Sequence, residues 1–446
     1  MGLSVEVWSL VLFGVMIAVL CTGLPVVFVL GGVGTLFTIL IYGFNATMGV
    51  YLNAWASFNS QMLLAIPLFL LMASVLQYSG IADDIYALFH KWMGGLRGGL
   101  CMGTVVICMI FAAVTGTSGA ATVSMGLIAL PSMIKRGYNK YMALGAVMGG
   151  GVLGIVIPPS IIMILYSLIA RLPIGKMFMG GVFPGITCGC IFIIYIFIRC
   201  WINPKNGPPI PLEERASWKE KLLSIKALIL PLGLIVIVLG SIWVGVATPT
   251  EAAAIGAFGA FICAAVNHRL NWATINEAVP QTVMLTGMIF WILAGATTFS
   301  NLYTQLGARD MIETFATGLD VSPWVIIILM QLSLLVLGCI MDDFAIVMLA
   351  APIYVPIVTA LGFDPLWFGI IFILNMSIAY LTPPYGFNLF YMRSLVPIIK
   401  KETGVELTMR DIYRGAVPFI GLMILNLILC MIFPGIVTWF PNMIYG

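Results

Sequence analysis

The sequence predicts an all-α polytopic membrane protein, folded as two inverted copies of one helical unit, each carrying a re-entrant hairpin and a broken helix. Three observations predict it. Of 446 residues, 61% are hydrophobic and only 8% are charged, against about 25% charged in a soluble domain. Apolar runs of roughly 17 to 25 residues, the length that crosses a bilayer, recur along nearly the whole chain. Landmarks of the first half also return in the second at an almost constant offset. Pro131, Gly137 and Pro158-Pro159 return 225 positions later as Pro356, Gly362 and Pro383-Pro384. Pro25 and Gly32 return at 224 as Pro249 and Gly256, and Gly80 and Asp83 at 227 as Gly307 and Asp310. Gly181 and Pro184 return at 234 as Gly415 and Pro418, so the second copy carries about nine extra residues in between.

The first copy, residues 1–200, opens with apolar runs near 8–22, 24–42 and 62–79. The first run is read as a retained span, because no basic segment precedes Val7 and no small-residue cleavage site follows. The stretch 98–131 is interrupted at Thr115-Gly116-Thr117-Ser118-Gly119. Each half is too short to cross alone, so the stretch reads as a hairpin. A span over 141–169 breaks at Pro158-Pro159, because Pro removes a donor and the residue before it avoids helix. One more span covers 180–200. Residues 201–226 hold Pro204, Pro208-Pro209, Pro211 and a run of mixed charge, and form a cytoplasmic linker. The second copy, 227–446, repeats the order. It has spans at 227–246, 250–267 and 282–303, a hairpin at 324–357, a span over 366–394 broken at Pro383-Pro384, and a last run at 416–440. Thr248-Pro249-Thr250-Glu251 fits the first positions of a helix, with Glu251 as the capping partner of Thr248, a structural role.

Five crossings and one hairpin per copy make an odd number of crossings, so the second copy lies upside down. The positive-inside rule tests this. Of 20 Lys and Arg, only Arg171, Lys176 and Arg309 fall in stretches predicted outside, leaving 17 inside. Loop 132–140 holds three basic residues and its mate 357–365 none. Both termini are then outside. With the basic residues spent on topology, no nucleic-acid partner is expected. Cys21, Cys108, Cys263 and Cys430 lie in apolar segments and read as small buried hydrophobes. Cys188 and Cys190 lack the second pair a zinc site needs. The two histidines, His90 and His268, sit in polar connections, which leaves no HExxH-type site.

Irregular backbone at membrane depth is tolerated only where it faces protein or a wet cavity. Secondary transporters use such breaks: half-helix N-termini face anionic groups and unwound carbonyls bind Na⁺. Four candidate breaks occur here. The first hairpin tip offers Thr115, Gly116, Thr117, Ser118 and Gly119, small residues that also suit helix packing. The second tip offers Gly338, Asp342 and Asp343; a carboxylate in a membrane helix is a functional candidate unless the turn lies at the headgroups. The first broken span has Gly149-Gly150-Gly151, Pro158-Pro159 and Ser160. The second has Asn375, Ser377, Thr382, Pro383-Pro384, Gly386 and Asn388. Plain proline kinks are the alternative at both. No Lys or Arg falls inside a span, although Arg171 and Arg393 lie near span ends. An anion would be held by helix N-termini, hydroxyls and bound cations.

Several stretches together resemble the DctM-type large subunit of TRAP transporters. They are Thr115-Gly116-Thr117-Ser118, Lys135-Arg136-Gly137-Tyr138, Gly154-Ile155-Val156-Ile157-Pro158-Pro159-Ser160, Ala247-Thr248-Pro249-Thr250-Glu251-Ala252 and Leu381-Thr382-Pro383-Pro384-Tyr385-Gly386-Phe387-Asn388-Leu389. The likeness covers residues 8–440. It implies a non-enzymatic, inverted-repeat elevator-type transporter in a bacterial or archaeal inner membrane, with both termini periplasmic. It implies sodium-coupled uptake of a small organic anion, a carboxylate or a sulfonate. It also implies two partners, a separate small four-helix membrane subunit and a soluble periplasmic substrate-binding protein. Carried over by position, the sodium ligands are Thr115, Gly116, Ser118, Gly119, Gly338, Asp342, Thr382 and Gly386. The substrate contacts are Thr117, Ser118, Ser160 and Asn388. One departure stands out: the family often has Pro or a small residue after the tip aspartate, where this chain has Asp343-Phe344.

Three rival readings follow from the same residues. A stand-alone sodium/dicarboxylate symporter would share the hairpins and need no partners. An intramembrane aspartyl protease would need two facing carboxylates from different helices, whereas adjacent Asp342 and Asp343 point apart. A passive channel would repeat around a pore rather than invert within one chain.

Overall fold

The computed structural model describes residues 4–445 except 21, 309, 310, 313, 315–317, 319 and 385, and no side chain for Leu212. The expectations that fall on Cys21, Arg309, Asp310 and Tyr385 lie outside these residues. Among the described residues the chain is helical throughout, with no strand. Among those residues seven helices are long and apolar enough to cross a membrane: Gln61–Tyr78, Ile174–Ile202, Trp218–Trp243, Pro249–Val266, Trp272–Gln305, Asp343–Ala360 and Met409–Ile432. Shorter apolar helices include Val5–Leu20, Val26–Tyr42, Gly99–Thr115, Ile161–Ala170, Pro323–Gly338 and Pro365–Ala379.

Local chemistry sets many boundaries. Thr248 caps its helix through a full capping box with Glu251, Pro249 standing at the first position, so Glu251 is structural as expected. Thr408 and Asp411 form a second box, which starts the helix at Met409 rather than at 416. That helix ends at Ile432, and a separate helix, Gly435–Tyr445, follows Pro434. Helix 272–305 likewise begins ten residues before the expected span, capped by Asn271. Two amphipathic helices, Thr47–Phe58 and Ile81–Met93, lie outside the apolar runs. His90 belongs to the second of them and not to a connection, a correction to the sequence reading; His268 follows helix 249–266 in a left-handed turn (φ 54°). Cys108, Cys263 and Cys430 are buried, and no described cysteine is in a disulfide.

The packing has a pairwise pattern. Helix 26–42 packs on 272–305, and 65–78 packs on 249–266. The second arm of the first hairpin, Ser118–Lys135, packs on Phe387–Thr403, the second half of the second broken helix. The second arm of the other hairpin, Asp343–Ala360, packs on Ile161–Ala170, the second half of the first broken helix. Helix 140–152 lies against 409–432, and helix 365–379 against 174–202. In each case one contact becomes its mate when the two copies are exchanged. At the start of helices 140–152 and 409–432, Lys140 reaches Asp411 at 2.8 Å, with the Asp411 side chain 8% exposed.

The linker between the copies is strapped to the base of the first hairpin. Backbone N–H groups of Gly98 and Asn139 donate to Gly207 (2.9 Å) and Asn206 (3.1 Å), and Ile210 N–H donates to Gly94 (2.8 Å). Arg136 pairs with Glu214 at 2.9 Å. A short helix, Trp218–Ser224, follows, and the Trp92 indole N–H donates to its Lys221 carbonyl at 3.0 Å.

Candidate functional site

The first hairpin turns at Gly116, which adopts φ +61° between helices 99–115 and 118–135. A side chain there would be strained and would also meet the carbonyl oxygen of Pro159. Across the same contact, a side chain on Gly154 would meet the carbonyl of Thr117. Tip and break therefore touch backbone to backbone, which is what two glycines facing each other permit. Helix 140–152 gives way to a single 3₁₀ turn, Leu153–Ile155, before the Pro158-Pro159 segment, and helix restarts at Ile161. The second half has a different contact, a hairpin glycine on a side chain and a glycine folded back within the break itself. Gly338 at the hairpin lies against Ala379, and Gly386 lies 2.5 Å, measured from an added Cβ, from the Tyr380 carbonyl. Both Pro-Pro bonds are cis.

Two bonds through Asn388 join the halves at this point. Ser118 Oγ donates to Asn388 Oδ1 at 2.7 Å, and Asn388 Nδ2 donates to the Met148 carbonyl at 3.2 Å, all buried. Ser160 Oγ donates to the Ile155 carbonyl (2.8 Å), Thr115 Oγ1 to Phe111 (2.9 Å) and Thr382 Oγ1 to Ile378 (2.8 Å). Asp342 caps helix 343–360, accepting from Ala345 N–H at 2.9 Å. Asp343 is 3% exposed and accepts from Phe344 N–H at 3.0 Å.

A cavity of about 260 Å³ opens beside the first tip. Gly116, Thr117, Ser118, Gly119 and Ala120 form one wall, and Asp343, Phe344, Tyr380 and Tyr391 form another. Ser74, Gln77 and Gln281 add neutral polar groups from helices 65–78 and 272–305. Of the expected substrate contacts, Thr117 and Ser118 reach this wall, while Ser160 and Asn388 lie behind it in the bonds just described. Of the expected sodium ligands, Gly116, Ser118 and Gly119 line it. Thr115, Gly338, Asp342, Thr382 and Gly386 sit at the tips and breaks without lining it. Sequence reasoning missed Tyr380, Tyr391, Gln77 and Gln281. The glutamines carry a signal, since each is a polar residue near the end of an apolar run. Among the described residues no group of three or more His, Cys, Asp or Glu could hold a metal.

A second cavity, of about 780 Å³, is lined by Arg171, Thr297, Ser300, Asn301, Thr304 and the arm of the second hairpin from Met348 to Ala360. The two cavities meet along shared helices. Ile289 lines the first and Leu293 the second; likewise Phe344 lines the first and Met348 the second. On each helix the partition is a single turn, about 6 Å.

The sequence profile of the DctM component of tripartite ATP-independent periplasmic transporters matches residues 13–436. The chain is 34% identical to the C4-dicarboxylate TRAP transporter large permease protein DctM of Vibrio cholerae, over 98% of each chain. It is 32% identical to the isethionate TRAP transporter permease protein DctMQ of Oleidesulfovibrio alaskensis, covering 97% of this chain and 66% of that one. It is 27% identical to the ectoine TRAP transporter large permease protein TeaC of Halomonas elongata, covering 98% and 99%. Among solved structures, the YdaH transporter of Alcanivorax borkumensis superposes with a TM-score of 0.56 at 15% identity over 90% of each chain. MtrF of Neisseria gonorrhoeae gives 0.57 at 12% over 89% of this chain and 85% of that one.

Proposed function

The chain belongs to the DctM family, the large permease component of tripartite ATP-independent periplasmic transporters, and from that premise we propose that it carries a small organic acid inward, driven by Na⁺. The solute arrives on a soluble periplasmic binding protein, and a small four-helix membrane subunit completes the complex in an inner membrane. Relatives are named for C4-dicarboxylate, isethionate and ectoine, so a carboxylate or a sulfonate is the shared chemistry.

The observation that carries this reading is the partition between the two cavities. In the topology drawn from basic residues, the smaller cavity lies toward the cytoplasm and the larger toward the periplasm. One apolar turn on each of two helices closes the path between them. Alternating access then means moving the hairpins and broken helices past helices 65–78 and 272–305. The interlocked tip and break of the first copy, and the Ser118–Asn388 bond between copies, make that set move together. Na⁺ takes hard oxygens at the tips and breaks: the Thr115 and Ser118 hydroxyls, the carbonyls around Gly116 and Gly386, and the Asp342 carboxylate. Its charge offsets that of the solute.

Reconstitution tests this. Liposomes holding this chain and its small subunit should accumulate solute only with the loaded binding protein outside and an inward Na⁺ gradient. Uptake by this chain alone would instead fit a stand-alone symporter. Asp342→Asn keeps the helix cap, because Asn caps as well as Asp, and removes the charge. Full Na⁺-driven uptake in Asp342→Asn would take Asp342 out of the cation site.

A further inference from the structure

The smaller cavity carries two contrasting polar walls. Its lining, among the described residues, contains no Lys, Arg or His. One wall is the start of helix 118–135. Thr117 stands at the N-cap position with no side-chain cap bond, and Gly119 and Ala120 of the first turn line the cavity. Uncapped first-turn N–H groups at a helix start receive a carboxylate or sulfonate. The other wall is acidic and aromatic: the nearly buried Asp343 with the rings of Phe344, Tyr380 and Tyr391. The Tyr391 ring comes as close to the tip as it does because Gly119 has no side chain; an added Cβ would lie 3.0 Å from it.

The inverted mate of that helix start is different. Helix 343–360 is closed by its own carboxylates, Asp342 on Ala345 N–H and Asp343 on Phe344 N–H. One wall of the cavity therefore presents unpaired donors, and the wall adjoining it at Gly119 and Tyr391 a carboxylate with aromatic faces. A dianion would meet Asp343 with no Lys, Arg or His among the described residues of the lining, leaving the bound Na⁺ to offset both its charges and the carboxylate. An ammonium or amidinium suits that wall, through a charge-assisted hydrogen bond and ring faces.

We propose that the solute is a small zwitterion, in which a carboxylate or sulfonate docks at the start of helix 118–135 and an ammonium or amidinium docks against Asp343, Tyr380 and Tyr391. This rests on the transporter reading above and names the substrate class of that site.

Thermal shift and calorimetry on the purified large and small subunits, in Na⁺ buffer, test it with probes matched in length. β-Alanine and taurine are the zwitterions; succinate and 3-sulfopropionate are the dianions in which a carboxylate replaces the ammonium. The expected result is stabilisation by a zwitterion and not by its dianion, with Asp343→Asn weakening the zwitterion about tenfold or more. If Asp343→Asn does not fold, Tyr391→Leu carries the test and should weaken the same probes while the Na⁺ response stays. A dianion that binds as well as its zwitterion overturns the proposal. So does an Asp343→Asn protein whose Na⁺ affinity falls while its preference between probes is kept. If Na⁺ alone stabilises the protein and neither zwitterion adds to it, the substrate class is wrong and the transporter reading stands. If Na⁺ has no effect either, both fall.

Discussion

Gly116→Ala isolates the interlock between the first hairpin tip and its break. Two costs add at this position. The backbone sits at φ +61°, where a side chain costs about 1–2 kcal/mol. The new methyl also meets the Pro159 carbonyl oxygen, and main chain cannot turn aside as a side chain can, so overpacking adds about 1–3 kcal/mol. Gly137→Ala is the control. Its φ is +77°, yet nothing lies within 4 Å of an added Cβ, so only the first cost applies. At about 2.1 cal/mol/K of unfolding entropy per residue, a chain of this size shifts by roughly 1 °C per kcal/mol. Scanning fluorimetry in detergent should then show Gly137→Ala down by about 1–2 °C and Gly116→Ala by about 2–5 °C. Na⁺-driven uptake should survive the first change and fail with the second, because the tip must move away from Pro159. Equal shifts, or full uptake by Gly116→Ala, would refute the claim that tip and break form one unit.

Other outcomes follow from the same contacts. Ser118→Ala leaves the Asn388 carbonyl oxygen buried without a donor and should cost about 1–3 kcal/mol. Combined with Asn388→Leu, the loss should fall short of the sum by roughly 0.5–3 kcal/mol in a double-mutant cycle; strict additivity would deny the bond between halves. Leu293→Ala with Met348→Ala thins the partition between cavities and should let solute exchange across liposomes without a Na⁺ gradient, while tight, unchanged membranes would place the barrier elsewhere. Burial, and then the nearby Arg136 guanidinium, lower the His90 pKa below its ordinary 6.5, with Glu214 opposing. The folded state thus binds fewer protons than the unfolded one, so stability at this site is complete above about pH 6.5 and declines as pH falls through the lowered value. Melting curves from pH 7.5 to 5 should show that decline, and His90→Gln should flatten it.

What could be read from the residues depended on how local the cause was. The Thr248–Glu251 box is four consecutive residues, and its role was plain. The breaks at Pro158-Pro159 and Pro383-Pro384 follow from proline chemistry alone. Helices 47–58 and 81–93 were not legible, because their polar faces interrupt the apolar runs used to find spans. The start of helix 409–432 was placed late for the same reason: Arg410, Asp411 and Arg414 dilute its first turns. The cavity wall depended on distant geometry. Ser160 and Asn388 are expected to face solute, but Ser160, extended just before helix 161–170, turns back to the Ile155 carbonyl, and Asn388 bonds Ser118 and Met148. Asp343 and Tyr391 come together only because helices 343–360 and 387–403 both approach the first tip, a fact of pairing between copies that no single stretch encodes.

The strap at residues 206–225 also tethers two parts of the fold to each other. Glu214 is clasped to Arg136 on the hairpin side, and helix 226–243 belongs with 249–266 on the other. Eleven residues, 215–225, connect these points, and seven of them are the helix Trp218–Ser224. With that helix intact and the Trp92–Lys221 bond opened, the leash reaches at most about 24 Å, some 10 Å of helix and 14 Å of extended chain. A longer separation requires either unclasping Arg136 from Glu214 or melting the short helix, so this inconspicuous piece of chain caps how far apart its two anchors can be drawn.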